Sequence, residues 1–253
     1  MDKILQEAID YFNKKEWNKA IDVFSKILEK HDNQPEIYNN MALCYYNLGK
    51  DDEAEKFYLK ALAIDSKLPQ VYINLCDLYF KKRELAQAVD LLLMGVNENP
   101  DNLVLRHYLA RVYMEDARLD LAIDELDRIL EEEPENYDAY YDMARVYFEL
   151  GNYDIAIENF ENVLNYKDDN EWVYYYLGEA YEANDQIDKA ISSFMRALTV
   201  NDKFSLPYKK LAILFLARGD KEDAIEYFED YLKFPIPEEE AENIKATLNR
   251  IKK

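Results

Sequence analysis

The chain has 253 residues, 49% of them hydrophobic, with only 5 Gly and 7 Pro, which excludes a linker-rich or disordered polymer and leaves ample material for a core. Its formal charge of −21 argues against nucleic acid and anionic membrane surfaces as partners, because phosphates demand an excess of Lys and Arg. The start MDKILQEAIDYF lacks a basic region followed by an apolar core, no apolar run approaches the roughly 18 residues of a membrane span, and Cys44 and Cys76 have no metal or redox spacing, so a reduced cytoplasmic protein is expected.

From the N-terminus onward, alanine returns every 34 residues, at Ala20, Ala54, Ala88, Ala122, Ala156, Ala190 and Ala224. The period divides the chain without insertion or deletion into units 1–34, 35–68, 69–102, 103–136, 137–170, 171–204 and 205–238. Within a unit, position 8 is always small, from Ala8 through Cys76 and Gly178 to Ala212, and position 11 is always aromatic, from Tyr11 to Phe215. Position 24 is large, from Phe24 to Phe228, and position 28 is Leu or Val. Positions 4, 7, 8 and 11 share one face of a helix, and 20, 24, 27 and 28 share a face of a second one. Small residues at 8 and 20 let the two backbones approach, and the aromatics fill the space beside them. Gly49, Gly151 and Gly219 occupy position 15, where a helix end takes a left-handed residue. Pro100 and Pro134 fall in turns after second helices, and Pro35, Pro69 and Pro207 in the first turn of the next helix.

After Phe234-Pro235-Ile236-Pro237 the period ends. Ala241, Ile244, Leu248 and Ile251 then form one stripe of a further helix over 239–253, which reads as the polar-backed cap that closes a stack of repeats.

The units carrying Tyr140–Met143–Ala144–Tyr147–Ala156–Phe160 and Tyr174–Leu177–Gly178–Tyr181–Ala190–Phe194–Ala197 resemble the tetratricopeptide repeat, a 34-residue helix–turn–helix family. The departures are small: Tyr stands for Trp at Tyr38, Tyr72, Tyr140, Tyr174 and Tyr208, and Glu7 stands where Leu is usual. The resemblance spans 1–238. It implies an all-α, right-handed superhelical solenoid of seven units plus a C-terminal capping helix, first helices lining the concave side, and a non-catalytic protein-interaction scaffold.

Chemistry has little to work with. His31 and His107 are the only histidines, no glycine-rich phosphate loop occurs, and Glu131-Glu132-Glu133 reads as a solvated helix end, so no catalytic, cofactor or metal site is expected. Cys76 fills the small position 8, and its reading is packing. The tyrosines that the repeat does not explain are more informative. Of 22 tyrosines, 13 sit at positions 4, 11, 17 or 24, and five of the rest, Tyr108, Tyr137, Tyr141, Tyr175 and Tyr176, lie on the first helices of units four to six. Positions 2, 5, 6 and 9 of such a helix face away from its partner. They hold Val104, His107, Tyr108 and Arg111 in unit four, Asp138, Tyr141, Asp142 and Arg145 in unit five, and Trp172, Tyr175, Tyr176 and Glu179 in unit six.

Tyr, Trp and Arg dominate binding hot spots, so Tyr108, Arg111, Tyr141, Arg145, Trp172, Tyr175 and Tyr176 are the candidate lining of a peptide groove. The structural alternative is that these side chains only pack, with Asp138, Asp142 and Glu179 neutralising the arginines. Units four and five each carry −6, mostly on second helices and turns in unit four. The chaperone-tail carboxylate clamp known in the family is not expected, because Asn39 and Asn40 are followed by Ile73, Asn74 and Asp77 without the required Lys. A second reading is a self-assembling scaffold that associates weakly through Leu5, Ile9 and Phe12, an apolar stripe with no preceding unit to cover it.

Overall fold

A computed structural model describes residues 2–253, with the side chain of Asp2 excepted. Among the described residues the regular structure is entirely helical: α1 (Asp2–Asn13), α2 (Trp17–Leu28), α3 (Pro35–Asn47), α4 (Asp51–Ile64), α5 (Pro69–Lys82), α6 (Leu85–Glu98), α7 (Leu103–Glu115), α8 (Leu119–Glu132), α9 (Tyr137–Glu149), α10 (Tyr153–Tyr166), α11 (Glu171–Ala183), α12 (Ile187–Val200), α13 (Ser205–Arg218), α14 (Lys221–Tyr231) and α15 (Glu238–Ile251). Contacts divide the chain into two compact parts, residues up to Ile129 and Leu130–Lys253.

Close packing follows the small residues. Ala8, Ala42, Cys76, Ala110, Ala144 and Ala212 at position 8, and all seven alanines at position 20, have no exposed surface. Gly178 takes position 8 in α11, where an added Cβ would stand 2.7 Å from the Phe194 ring. In the first part, α1 packs on α2, α3 on α4 and α5 on α6, and each pair abuts the next through α2–α3, α4–α5 and α6–α7. The second part repeats this with α9–α10, α11–α12 and α13–α14, joined through α10–α11 and α12–α13.

The turn that follows α1, α3, α5, α7, α9, α11 and α13 is the same each time. The residue at position 15 has a positive φ every time: Lys15 58°, Gly49 72°, Arg83 60°, Ala117 55°, Gly151 75°, Asp185 58° and Gly219 93°. The next residue's N–H reaches back five residues, as in Glu84 N–H to Tyr79 C=O at 2.8 Å and Gln186 N–H to Tyr181 C=O at 2.8 Å, which satisfies an orphan carbonyl of the first helix. Polar bonds also tie neighbouring repeats together over 30 residues of sequence. Lys81 reaches Asp51 at 2.6 Å in the first part, and Asn184 reaches Asp154 at 2.7 Å in the second.

Helix starts show a signal the period does not. Asn102, Asn136 and Asn170, all at position 34, cap α7, α9 and α11 by accepting from Leu105, Ala139 and Trp172 N–H at 2.9–3.0 Å. Pro35 and Pro69 open α3 and α5, where a missing N–H costs nothing. Helix α15 buries Ile244 and Leu248 against Ala212, Phe228 and Tyr231. Its Glu240 accepts from Lys209 at 2.6 Å and from the Tyr231 hydroxyl at 3.2 Å. The expected stripe of 239–253 is thus a helix seated on α13 and α14.

Candidate functional site

Five of the seven candidate residues lie on α9 and α11, first helices that each start at an asparagine cap. Aromatic rings form a continuous run there. Phe160 of α10 is 1% exposed, and Tyr176 stacks on it at 6.3 Å between centroids and 9° between planes. Trp172 stacks in turn on Tyr176 at 6.0 Å and 29°, and 42% of its surface is open to solvent. The run therefore leads from the core to an exposed indole. Tyr141 and Tyr175 flank Tyr176 edge-on, at 68° and 73°, and Phe204 wedges against Trp172 at 4.6 Å. A ring held on several sides loses little further freedom when something docks on it.

The stripe is not uniform, and here the geometry departs from the expectation that positions 2, 5, 6 and 9 all face away from the partner helix. Position 2 is open, as in Val104, Asp138, Trp172 and Leu206. At position 5, Tyr175 is buried, its ring 5.6 Å from Phe194 of the partner helix α12 and 5.4 Å from Phe204. Tyr141 likewise meets Phe160 of its own partner helix at 6.0 Å. These tyrosines are long enough to reach round into the seam, where the apolar area is. Tyr175 keeps its hydroxyl satisfied by donating to Glu179 at 3.2 Å, and burial followed by that carboxylate pushes its pKa up.

Charge on these helices is largely engaged within the chain. Arg145 lies 3.7 Å from Asp142, whose carboxylate is buried. Lys210 of α13 bridges Glu179 at 3.1 Å and Glu182 at 2.9 Å. Lys167 sits over the Tyr137 ring at 5.4 Å. In the first part, Tyr108 is half-buried on α7 with Arg111 exposed on the same helix. Burial raises the Tyr108 phenol, the Asp77 carboxylate adds to the effect, and Arg111 opposes it. Asn74 and Asn39, at carboxylate-clamp positions, bond each other at 3.0 Å. Cys44 and Cys76 are buried thiols pushed up to about 12 by burial, so neither is a nucleophile near neutral pH.

Family profiles decide the class. Models described as tetratricopeptide repeat or TPR repeat match residues 35–68, 113–158, 144–185, 173–204 and 210–234. The chain belongs to the tetratricopeptide-repeat family. Solved structures agree on the fold. The C-terminal part of a TPR repeat-containing protein from Cytophaga hutchinsonii is 20% identical, with 95% of this chain and 98% of that one covered at a TM-score of 0.76. A tetratricopeptide repeat protein from Parabacteroides merdae is 19% identical, covering 100% and 98% at 0.69. YrrB, described as a TPR protein with an unusual peptide-binding site, is 21% identical, covering 78% and 97% at 0.60. No curated protein matches in sequence. TPR proteins are in general non-catalytic interaction scaffolds, and the repeats of this TPR chain support that role. None of the described helices is long and apolar enough to cross a membrane.

The asparagine caps at position 34 were within reach of the sequence, since Asn before a helix start is a strong capping signal. The burial of Tyr175 and Asp142 was not, because helical phase alone does not say how far a neighbouring helix stands off.

Proposed function

We propose that the chain is a non-catalytic adaptor of the reducing cytoplasm that holds an extended segment of a partner protein against its first helices. On this reading residues 1–238 are seven stacked units and 239–253 caps them. In the second compact part the contact surface is Trp172 and Tyr176, flanked edge-on by Tyr141 and Tyr175, with Arg145 on the same helix as Tyr141. Tyr108 and Arg111 offer the corresponding surface on α7. The observation that carries the reading is the run of stacked rings from Phe160 to the exposed Trp172. Large aromatics that are packed on one side and open on the other are what interface hot spots are made of. The peptide-binding site named for YrrB gives the reading a precedent within the fold.

The test is to identify the partner by capture with the wild-type chain and then measure its affinity for a Trp172→Ala variant. A loss on the order of 2 kcal/mol, about thirtyfold, is expected for a central aromatic anchor. Unchanged affinity in a folded variant would remove the groove. The double change Arg111→Ala with Arg145→Ala separates binding from scaffold: because Arg145 faces the buried Asp142 carboxylate, a lower unfolding midpoint with undiminished capture is expected, and weakened capture at an unchanged midpoint would place the arginines in the groove.

Self-assembly through the first unit is the second reading, favoured by the 42% exposure of Ile4 beside half-buried Leu5, Ile9 and Phe12 on α1. Phe12 is partly occupied, edge-on to Trp17 at 5.3 Å. Sedimentation as a strictly monomeric species at every concentration would rule it out.

A further inference from the structure

We infer that the segment held at Trp172 is basic, presenting a Lys or Arg side chain to the indole. The inference rests on the groove reading above and adds the chemistry of the partner. Between Tyr137 and Trp172 the sequence has nine carboxylates and two cations, Arg145 and Lys167. Both cations are already engaged within the chain, Arg145 beside Asp142 at 3.7 Å and Lys167 over Tyr137 at 5.4 Å. Asp168 and Asp169 are exposed in the turn before α11, four and three residues ahead of Trp172, and Asp138 is exposed at the position on α9 that Trp172 occupies on α11. A hollow of about 480 Å³ opens beside Asp138, lined also by Glu133 and Glu135.

An indole is the best π surface for a cation, and a surplus of exposed carboxylates on the same stretch of chain raises the local concentration of cationic side chains. The aliphatic stem of Lys or Arg would cover apolar ring surface while its head stays near the carboxylates. An acidic segment, by contrast, would meet surplus negative charge with no uncommitted guanidinium on α9 to receive it.

The experiment uses the full chain and two fluorescein-labelled peptides of twelve residues, one alternating Val and Lys, the other alternating Val and Glu. Anisotropy at 0.15 M NaCl is expected to show the Val–Lys peptide binding and the Val–Glu peptide not. Trp172→Leu, which keeps apolar bulk but removes the ring face, is expected to weaken Val–Lys binding at least about fivefold. The triple change Asp138→Asn, Asp168→Asn and Asp169→Asn is expected to weaken it similarly, whereas Asp90→Asn, Asp120→Asn and Asp124→Asn together should leave it unchanged. If both triple variants lose affinity equally, or Trp172→Leu binds as the wild type does, the attraction is diffuse charge and the inference falls. Tighter binding of the Val–Glu peptide, lost in Trp172→Leu, would overturn the basic partner while leaving the groove standing. Binding of neither peptide overturns the inference, and the capture experiment above then judges the groove by itself.

Discussion

Position 15 illustrates how one residue per repeat carries the turn. All seven residues there adopt the left-handed conformation, yet only Gly49, Gly151 and Gly219 do so without a side chain. A Cβ in that region costs on the order of 1 kcal/mol, partly offset because glycine has more conformational freedom to lose on folding. Ala117→Gly is therefore expected to stabilise by about 0.5 kcal/mol, read as a rise in the thermal midpoint by circular dichroism. Asp185→Gly should gain less, since Asp tolerates this conformation better than Ala. A lower midpoint for Ala117→Gly would mean the strain is absent. The glycines were legible in the sequence as helix ends. Lys15, Arg83, Ala117 and Asp185 were legible only through the register, because nothing in those residue types calls for a positive φ.

At the scale of the element, paired helices are set by the small residues they meet across. Ala156 of α10 and Ala144 of α9 have no exposed surface, and both belong to the tightly packed pair α9–α10. Ala156→Leu adds three carbons where two backbones nearly touch, and a cost of about 1–3 kcal/mol is expected, measured as a fall in the denaturation midpoint. An unchanged midpoint would contradict the position of the close approach. This much follows from spacing, since small residues at 8 and 20 with bulk at 11 and 24 leave one way to pack the pair. Inter-repeat bonds such as Lys81–Asp51 and Asn184–Asp154 did not follow from it. They depend on the offset between successive repeats, which no single repeat encodes.

For the molecule as a whole, the charge of −21 sets self-repulsion against a modest set of ion pairs. Lys82 with Glu55 at 2.7 Å and Arg106 with Glu125 at 2.8 Å are among the better-shielded pairs, while most others are open to solvent and contribute little. Screening at about 0.1 M salt acts beyond roughly 10 Å, so it relieves the long-range repulsion more than it weakens these contacts. The thermal midpoint is accordingly expected to rise between low salt and about 0.3 M NaCl, and a fall would mean that the pairs outweigh the repulsion. By itself the sequence determined the 34-residue unit, its two helices, the faces they bury and the class of function, because a period of small and large residues fixes phase along each helix. It also singled out the aromatic stripe on α9 and α11. Only the tertiary structure decided which members of that stripe meet solvent. Trp172 and Tyr175 are three residues apart on one helix and both meet Phe204, yet Tyr175 also meets Phe194 and is buried while Trp172 stays open. Helical phase gives a side chain its direction, whereas burial depends on what neighbouring elements bring to meet it.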